Sequence, residues 1–180
     1  MKLSKSSLAD LNAQTVEIPS AEMFELPEKV LQFGTGVLLR GLPDYYIDKA
    51  NKQGVFNGRV VVVKSTDRGT TAEFDEQDSL YSICVRGIEN GQKVEKNIIS
   101  SAISRVLTAG KEWEEILDVA ASPSLEVIIS NTTEVGIQLS EDDVYATPPV
   151  SFPGKLLAVL FHRYKMYNGS ADRGLVIVPT

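Results

Sequence analysis

The sequence predicts an α/β fold built on a doubly wound, mainly parallel sheet. Short apolar runs without polar alternation recur along the chain, which is typical of strands buried on both faces. Segments of helical character separate these runs, so strands and helices alternate. One region instead carries two β-like runs around an Asn-Gly pair, which favours a β-hairpin inserted into the alternating pattern.

Four apolar runs are predicted to be the parallel strands. They are KVLQF at 29–33, RVVVVK at 59–64, LEVIIS at 125–130 and LVIVP at 175–179. A strand with one face in water would alternate polar and apolar residues, and these runs do not alternate. We therefore expect helices to cover both faces of each strand.

Three segments between the strands are predicted to be helices. Residues 42–52 run up to Gly54, a residue type that commonly follows a helix end. Residues 111–122 place four apolar side chains on one helical face: Trp113, Ile116, Leu117 and Ala120.

The third helix is predicted over residues 151–167. Ser151 suits its N-cap, and Pro153 suits its first turn, where a backbone N–H has no partner within the helix. Five side chains form its expected apolar stripe: Leu156, Leu157, Leu160, Phe161 and Tyr164.

The remaining segments are a hairpin and an N-terminal arm. The hairpin is predicted over 79–99 and turns around Glu89-Asn90-Gly91, because Asn-Gly favours a tight two-residue turn. Residues 1–27 are mixed and polar, and we interpret them as an arm that leads into a single domain at 28–180.

Composition restricts the class of protein. The 180 residues are 43% apolar and 23% charged, as expected for one soluble globular domain. A net charge of −6 argues against nucleic-acid or anionic-membrane partners, whose phosphates would be repelled. No apolar stretch reaches the roughly 18 residues that span a bilayer, and residues 1–20 lack the apolar core of a signal peptide. The single cysteine, Cys84, excludes an internal disulfide and a cysteine-based metal site, so we expect a cytoplasmic protein without a metal.

A glycine loop follows the first predicted strand. Gly34-Thr35-Gly36 lies where a helix should begin, and the free amides of a helix start suit a diphosphate. Gly34 would allow a sharp turn, and Gly36 would let the backbone approach a phosphate without a Cβ between them. The third position of the G-x-G-x-x-G fingerprint is Leu39, so the fingerprint is incomplete. From these residues alone, a dinucleotide site and a purely structural bend both stay open.

Pro43 complicates the helix that should follow this loop. Proline has no N–H to donate to the carbonyl of residue 39. We expect either a kinked helix or one that properly starts near Pro43.

A carboxylate beyond the second predicted strand favours NAD over NADP. Asp67 could accept both hydroxyls of an adenosine ribose. A 2′-phosphate at that place would meet a like charge, at a cost of about 1 to 4 kcal/mol at roughly 4 Å. Lys64 and Arg68 flank Asp67 and could weaken the preference, and a simple turn with Gly69 is the alternative.

A methyltransferase is the rival class of nucleoside-binding enzyme. Its glycine loop would be accompanied by acidic residues at the ends of the first two strands. The residues at those positions here are Gln32, Phe33 and Lys64, which disfavours this class.

Several motifs together resemble the mannitol dehydrogenase family of long-chain polyol dehydrogenases. They are QFGTGVLLRG, VVVVKSTDRG, QDSLYSICVRG, SNTTEVGI, PPVSFPGKLLAVLFHRY and NGSADRGLVIVPT, in this order, from about residue 28 to the last residue. The resemblance implies a Rossmann-like cofactor domain of an NAD-dependent, metal-independent secondary alcohol dehydrogenase. It implies the interconversion of D-altronate and D-tagaturonate in hexuronate catabolism, with fructuronate and mannonate, or a polyol, as alternative substrates.

The resemblance also implies a first group of cofactor-binding residues. Those that match the diphosphate loop of the family are Gly34, Thr35, Gly36 and Val37. Arg40 matches the arginine that follows this loop, and Asp67 matches an acidic position assigned to the adenosine ribose.

A second group follows the strand at 125–130. Residues that match a segment beside the nicotinamide half of the cofactor are Asn131, Thr132 and Glu134. Asp78 and Tyr81 match a further signature of the family, for which a structural task stays open.

We expect no catalytic residue within this chain. Alcohol oxidation needs a base that titrates near the working pH. The single histidine, His162, and Lys155 lie in a helix expected to pack on a sheet face, away from the strand ends. Glu134 is better placed, but a carboxyl with a pKa near 4 needs strong desolvation to act as a base.

The resemblance implies that proton transfer and substrate binding, including a catalytic lysine, belong to a mostly helical domain downstream. We therefore expect a cofactor domain truncated before that domain, inactive alone and with an exposed apolar patch near residues 175–180. A complete, non-catalytic dinucleotide-binding module is the alternative.

Overall fold

The computed structural model describes residues 2–66, 70–134 and 136–180. Its strands are β1 (Glu28–Phe33), β2 (Arg59–Lys64), β3 (Tyr81–Glu89), β4 (Gln92–Ser100), β5 (Ile103–Thr108), β6 (Val127–Ser130) and β7 (Val176–Pro179). Its α-helices are α1 (Val37–Gly41), α2 (Pro43–Lys52), α3 (Ala72–Asp75), α4 (Trp113–Ala121) and α5 (Phe152–Met166). Short 3₁₀ helices cover Lys5–Asp10, Ala21–Glu25, Glu141–Val144 and Ala171–Arg173.

Five parallel strands form the central sheet in the order β5-β2-β1-β6-β7. The chain builds outward from β1 through β2 to β5, and then crosses back to place β6 on the other side of β1. The strand order therefore reverses between β1 and β6, and the carboxyl ends of these two strands border the crevice where such sheets bind ligands. The predicted doubly wound fold is confirmed.

Both faces of the sheet are covered. Side chains of successive strand residues point to opposite sides, so each strand contributes to a core cluster on each face. One core cluster joins Leu31, Phe33 and Ile128 to α4 and α5. The opposite cluster joins Val30 and Ile129 to side chains from the other helices. This two-sided burial explains why the strands read as unbroken apolar runs.

Strand β5 is not among the four predicted strands, because Ser104 and Arg105 interrupt its apolar pattern. Arg105 forms a two-pronged ion pair with Glu28, with both N–O distances at 3.0 Å. The Ser104 hydroxyl donates to Glu28 at 2.8 Å and to the Val60 carbonyl at 3.0 Å. These partners are distant in sequence, so no local pattern could reveal them.

The predicted hairpin is confirmed, and the N-terminal arm is tied to it. Asn90 and Gly91 form the turn between β3 and β4 with φ of 51° and 78°, both left-handed. The Glu17 N–H donates to the Asn97 carbonyl at 2.8 Å, and the Ile99 N–H donates to the Glu17 carbonyl at 2.8 Å. The arm therefore extends the hairpin by one strand-like contact.

The first helical region is interrupted at Leu42, whose φ of −119° and ψ of −82° end α1 and start α2. Pro43 is the first residue of α2 and needs no hydrogen-bond acceptor there. The expectation of a break at this proline is confirmed.

The expected apolar stripe of α5 is partly wrong. Leu156 and Leu160 pack against the core, but Leu157, Phe161 and Tyr164 are exposed. The core-facing side carries buried Arg163 instead, whose guanidinium donates to three carbonyls near the end of α4, those of Ala120, Ser122 and Leu125. Burial of this arginine is possible because these carbonyls satisfy it.

Two-sided burial is also wrong for β7. Val176, Ile177 and Val178 are 62%, 43% and 38% exposed. Within the described part of the chain, β7 pairs with β6 alone, as an edge strand. These exposed side chains of β7 lie where the apolar patch was expected, and together with the exposed apolar side chains of α5 we call them the β7–α5 surface.

Paired isoleucines test this difference between the strands. Ile128 of β6 and Ile177 of β7 are register partners, but Ile128 is fully buried. We expect Ile128→Ala to lower the free energy of unfolding by about 2–5 kcal/mol. Ile177→Ala should cost less than about 1 kcal/mol, as for an exposed site. Urea unfolding of both variants measures this, and equal losses would mean that β7 is covered.

Candidate functional site

A cleft of about 450 Å³ opens at the carboxyl ends of β1, β2 and β6. Gly34 and Thr35 border it after β1, Lys64 borders it at the end of β2, and Asn131 borders it after β6. The structure thus brings together segments separated by almost 100 residues, at the point where the strand order reverses.

Gly34 forms the bend between β1 and α1. Its φ of +125° is a conformation that other residues rarely adopt. Its N–H donates to the Val63 carbonyl at 3.0 Å, and a Cβ at this position would come within 3.0 Å of Leu39. The sharp turn expected at Gly34 is present.

Gly36 caps the start of α1 and faces open space. It has an ordinary φ of −67°, and no described atom lies within 4 Å of the place a Cβ would occupy. Val37, the first residue of α1, is 75% exposed. The first amides of a helix lack partners within that helix, so this loop can donate hydrogen bonds to an anion that reaches it.

The segment after β6 contributes unequally to the cleft. Asn131 and Thr132 line it, but Glu134 is exposed and is not among the lining residues. The Asn131 side chain donates to the Thr180 carbonyl at 3.1 Å, so it also fixes the end of β7. The sequence analysis did not single out Thr133, which borders the cleft as well.

The β2 side of the cleft carries a nearly buried cation. Lys64 is 8% exposed, and its ammonium donates to the Thr66 carbonyl. Asp67, with Arg68 and Gly69, lies outside the described residues. Its contact with an adenosine ribose therefore stays a prediction.

Lys155 lies in the cleft, contrary to our expectation that its helix would keep it away from the strand ends. It is in the first turn of α5, it is 5% exposed, and its ammonium donates to the Val150 carbonyl at 2.6 Å. The signal was available in the sequence, because a helix that follows a parallel strand begins at the carboxyl edge of the sheet. His162 lies further along α5 and is not among the lining residues.

A capping network holds the start of α5 against the cleft. The Ser151 hydroxyl accepts from the Gly154 N–H at 3.0 Å and donates to Asp143 at 2.5 Å. Asp143 also accepts from the Ser151 N–H at 2.7 Å. These bonds to Ser151 hold the pKa of Asp143 below its usual value.

The charge of the cleft differs from that of the whole chain. Its described lining includes Lys64 and Lys155 but no aspartate or glutamate, although the chain has a net charge of −6. An anionic ligand is therefore favoured here.

A buried polar pair lies directly beneath the glycine loop. Gln32 and Asp44 are both 0% exposed, and Gln32 Nε2 lies 3.3 Å from Asp44 Oδ2 and 3.3 Å from the Gly34 carbonyl oxygen. Burial raises the pKa of Asp44 to about 7, and the bond from Gln32 and the charge of Arg40 offset this only in part. The sequence analysis used Gln32 only against a methyltransferase and did not consider Asp44.

Arg40 points toward the hairpin and is not among the residues that line the cleft. Its guanidinium lies over the rings of Phe74 and Tyr81, at 5.5 and 5.8 Å. The Tyr81 hydroxyl donates to the Arg40 carbonyl at 3.2 Å, and burial raises the pKa of Tyr81. Asp78 accepts from the Lys5 N–H at 2.8 Å, so both signature residues make structural contacts.

No group of three or more His, Cys, Asp or Glu side chains among the described residues is arranged to hold a metal ion. No helix among these residues is long and apolar enough to cross a bilayer.

Residues 28–180 match the family model described as the mannitol dehydrogenase Rossmann domain. Altronate oxidoreductase of Halalkalibacterium halodurans is 46% identical over 157 residues, which are 86% of this chain and 31% of that protein. Altronate oxidoreductase of Bacillus subtilis is 40% identical over 156 residues, which are 86% of this chain and 32% of that protein. The chain spans about a third of the length of these curated relatives.

Two solved structures share the fold at 20% sequence identity. Mannitol 2-dehydrogenase of Pseudomonas fluorescens, in a ternary complex with NAD and D-mannitol, has a TM-score of 0.81 over 99% of this chain and 38% of that chain. D-sorbitol dehydrogenase in substrate-free form has a TM-score of 0.79 over 99% of this chain and 39% of that chain. The family match, the identity to curated relatives and the shared fold agree, and the chain therefore belongs to the mannitol dehydrogenase family through its Rossmann domain.

Proposed function

We propose that this chain is the NAD-binding domain of an oxidoreductase that interconverts D-altronate and D-tagaturonate by hydride transfer. The observation that carries the proposal is the bend at Gly34–Gly36, which presents helix-start amides and open space at the reversal of strand order. The identity to two altronate oxidoreductases supports the choice of substrate.

The cleft suits the parts of a dinucleotide. The diphosphate would lie at the bend that starts at Gly34 and leads into α1; Gly34 borders the cleft together with Lys64 and Lys155, whereas Gly36 and Val37 are not among its lining residues. By the usual arrangement of such sheets, the nicotinamide half would lie toward Asn131 and Thr132, and the adenosine would lie toward the end of β2. NAD, when bound, supplies the hydride acceptor. The residues of this chain bind and orient it.

The catalytic base and most of the substrate site would come from the part of the enzyme beyond this chain. We propose a mostly helical domain that supplies the catalytic lysine and packs on the β7–α5 surface. Exposed Val176, Leu157 and Phe161 support this, because an apolar surface of this kind usually has a partner. A stand-alone binding module is disfavoured, since it would leave that surface in water.

Gly36 provides a direct test of the loop. We expect Gly36→Leu to weaken NADH binding by at least about tenfold, because the new side chain would enter the space meant for a phosphate. Stability should be retained, since φ is ordinary and no described atom is displaced. NADH fluorescence titration and thermal unfolding measure the two effects.

Gly41→Leu is the matched control, because its Cβ also meets open space, but Gly41 lies at the last residue of α1 and not at the bend before it. It should bind NADH as the parent chain does. If Gly36→Leu binds NADH as tightly as the parent chain, the loop is not part of the NADH site.

Asp67 tests the choice between the two dinucleotides. Asp67→Ser should improve NADPH binding by about tenfold relative to NADH, because the repulsion of a 2′-phosphate is removed. Titration of both cofactors measures the ratio, and an unchanged ratio would assign the preference to other residues.

The full-length enzyme tests the reaction. We expect it to oxidise NADH with D-tagaturonate faster than with D-fructuronate, and to keep its activity in EDTA. Residues 1–180 alone should turn over neither substrate. Faster reduction of D-fructuronate would transfer the assignment to the mannonate-forming reaction.

A further inference from the structure

We propose that Asp44 is a positioning residue for the cofactor loop, acting through Gln32. In its neutral form it completes the buried pair that holds the Gly34 carbonyl, and in its charged form it weakens binding of an anionic dinucleotide. This rests on the proposed function, because it concerns the same loop.

Gly34 is held at both of its backbone groups. Its N–H donates to the Val63 carbonyl at 3.0 Å, and its carbonyl oxygen lies 3.3 Å from Gln32 Nε2. Gln32 in turn lies against Asp44, at 3.3 Å from Oδ2. One amide group therefore links the carboxyl of Asp44 to the residue that turns the chain toward the cleft.

When Asp44 is ionised, the Gln32–Asp44 pair has too few donor hydrogens for its buried acceptor oxygens. Gln32 Oε1 and Asp44 Oδ1 are both buried, and neither has a hydrogen-bond partner in the described structure; the same is true of Arg40 Nε, a donor outside this pair. Both oxygens are acceptors when Asp44 is ionised, so two buried acceptors then lack a donor. A proton on Asp44 adds one donor to a pair that contains an unused amide oxygen, which favours the neutral acid.

Asp48, one helical turn further along α2, shows what a buried carboxylate needs. It is 2% exposed, it accepts from the Ser101 N–H at 2.9 Å, and it pairs with the Lys52 ammonium at 2.6 Å. Within the described part of the chain, the side chain of Asp44 has a single bond, from the uncharged Gln32. The two carboxyls share a helix and differ in their partners.

The charged and titratable groups around Asp44 are Arg40 of α1, Tyr81 of β3 and Asp48 of α2. The charge of Arg40 favours the ionised form of Asp44, whereas burial raises the pKa of Tyr81, which keeps that phenol neutral. Asp48 is already paired with Lys52. Asp44, with a pKa of about 7, is therefore the member of this group that changes charge in the neutral range.

The direction of the effect follows from linkage. A bound diphosphate adds negative charge near the loop and raises the pKa of Asp44 further, so the complex holds the proton more tightly than the free protein. Affinity for NADH should therefore be highest below pH 6 to 7 and should fall as the pH rises. One unit of additional pKa shift corresponds to about a tenfold loss.

The test is the NADH dissociation constant of residues 1–180 between pH 6 and 8.5 at constant ionic strength. We expect it to rise about tenfold for the parent chain. Asp44→Asn supplies a neutral donor at every pH, so it should lose the slope and bind NADH more tightly than the parent chain at pH 8.5. Gln32→Met, which removes the linking amide, should weaken binding and reduce the slope.

Asp48→Asn is the matched control, since it removes a buried carboxyl from the same helix without touching the loop. His162→Gln controls for the single histidine of the chain. Both should keep the slope. A slope that survives in Asp44→Asn, or NADH binding without any slope, overturns the inference but leaves the proposed function standing. Absence of NADH binding at every pH would instead overturn the proposed function.

Unfolding of the ligand-free protein gives an independent readout. Because the folded pKa of Asp44 is about 7 and its ordinary value is 3.8, the folded state binds more protons between these values. Its stability contribution is therefore lost as the pH rises through this range. The difference in urea midpoint between Asp44→Asn and the parent chain should therefore increase, in favour of the variant, from pH 5 to pH 8. A constant difference would show that Asp44 does not titrate there.

Discussion

Burial of β1 on both faces and both edges is the constraint on which the site depends. Its strand neighbours are β2 and β6, and Val30 and Leu31 are fully buried on opposite sides. A strand enclosed in this way cannot shift its register without moving its side chains to the wrong face. The register of β1 therefore fixes the position of the bend at Gly34, which lies beside the end of β6, where the strand order reverses.

The cleft combines a rigid backbone with a local excess of positive charge. Lys64 and Lys155 are nearly buried and donate to nearby carbonyls, so their positions are defined by the fold. In a chain of net charge −6, this local field distinguishes the cleft from the rest of the molecule. Diphosphate and sugar-acid carboxylate are both anions, so the same field suits the cofactor and the substrate that we propose.

The two edge strands of the sheet differ in their side chains. At β5, the polar side chains of Ser104 and Arg105 are satisfied by Glu28 and by the backbone of β2. At β7, apolar side chains remain exposed beside the exposed side of α5. Asn131 borders the cleft and bonds to the Thr180 carbonyl after β7, and the first turn of α5 also lines the cleft, so the cleft and the β7–α5 surface are adjacent. A domain packed on that surface would thus stand next to the nicotinamide side of the cleft.

The sequence by itself determined the features that depend on local chemistry. Unbroken apolar runs marked four of the five parallel strands, Asn90-Gly91 marked the hairpin, and Gly34 with Gly36 marked the loop, since backbone conformation and burial pattern follow from neighbouring residues. Tertiary structure alone decided the features that depend on distant partners. Strand β5, buried Arg163 and the Gln32–Asp44 pair are polar within apolar surroundings, and only contacts far along the chain make them stable. The orientation of Arg40 also depends on distant partners, because its guanidinium lies over the rings of Phe74 and Tyr81 and not in the cleft.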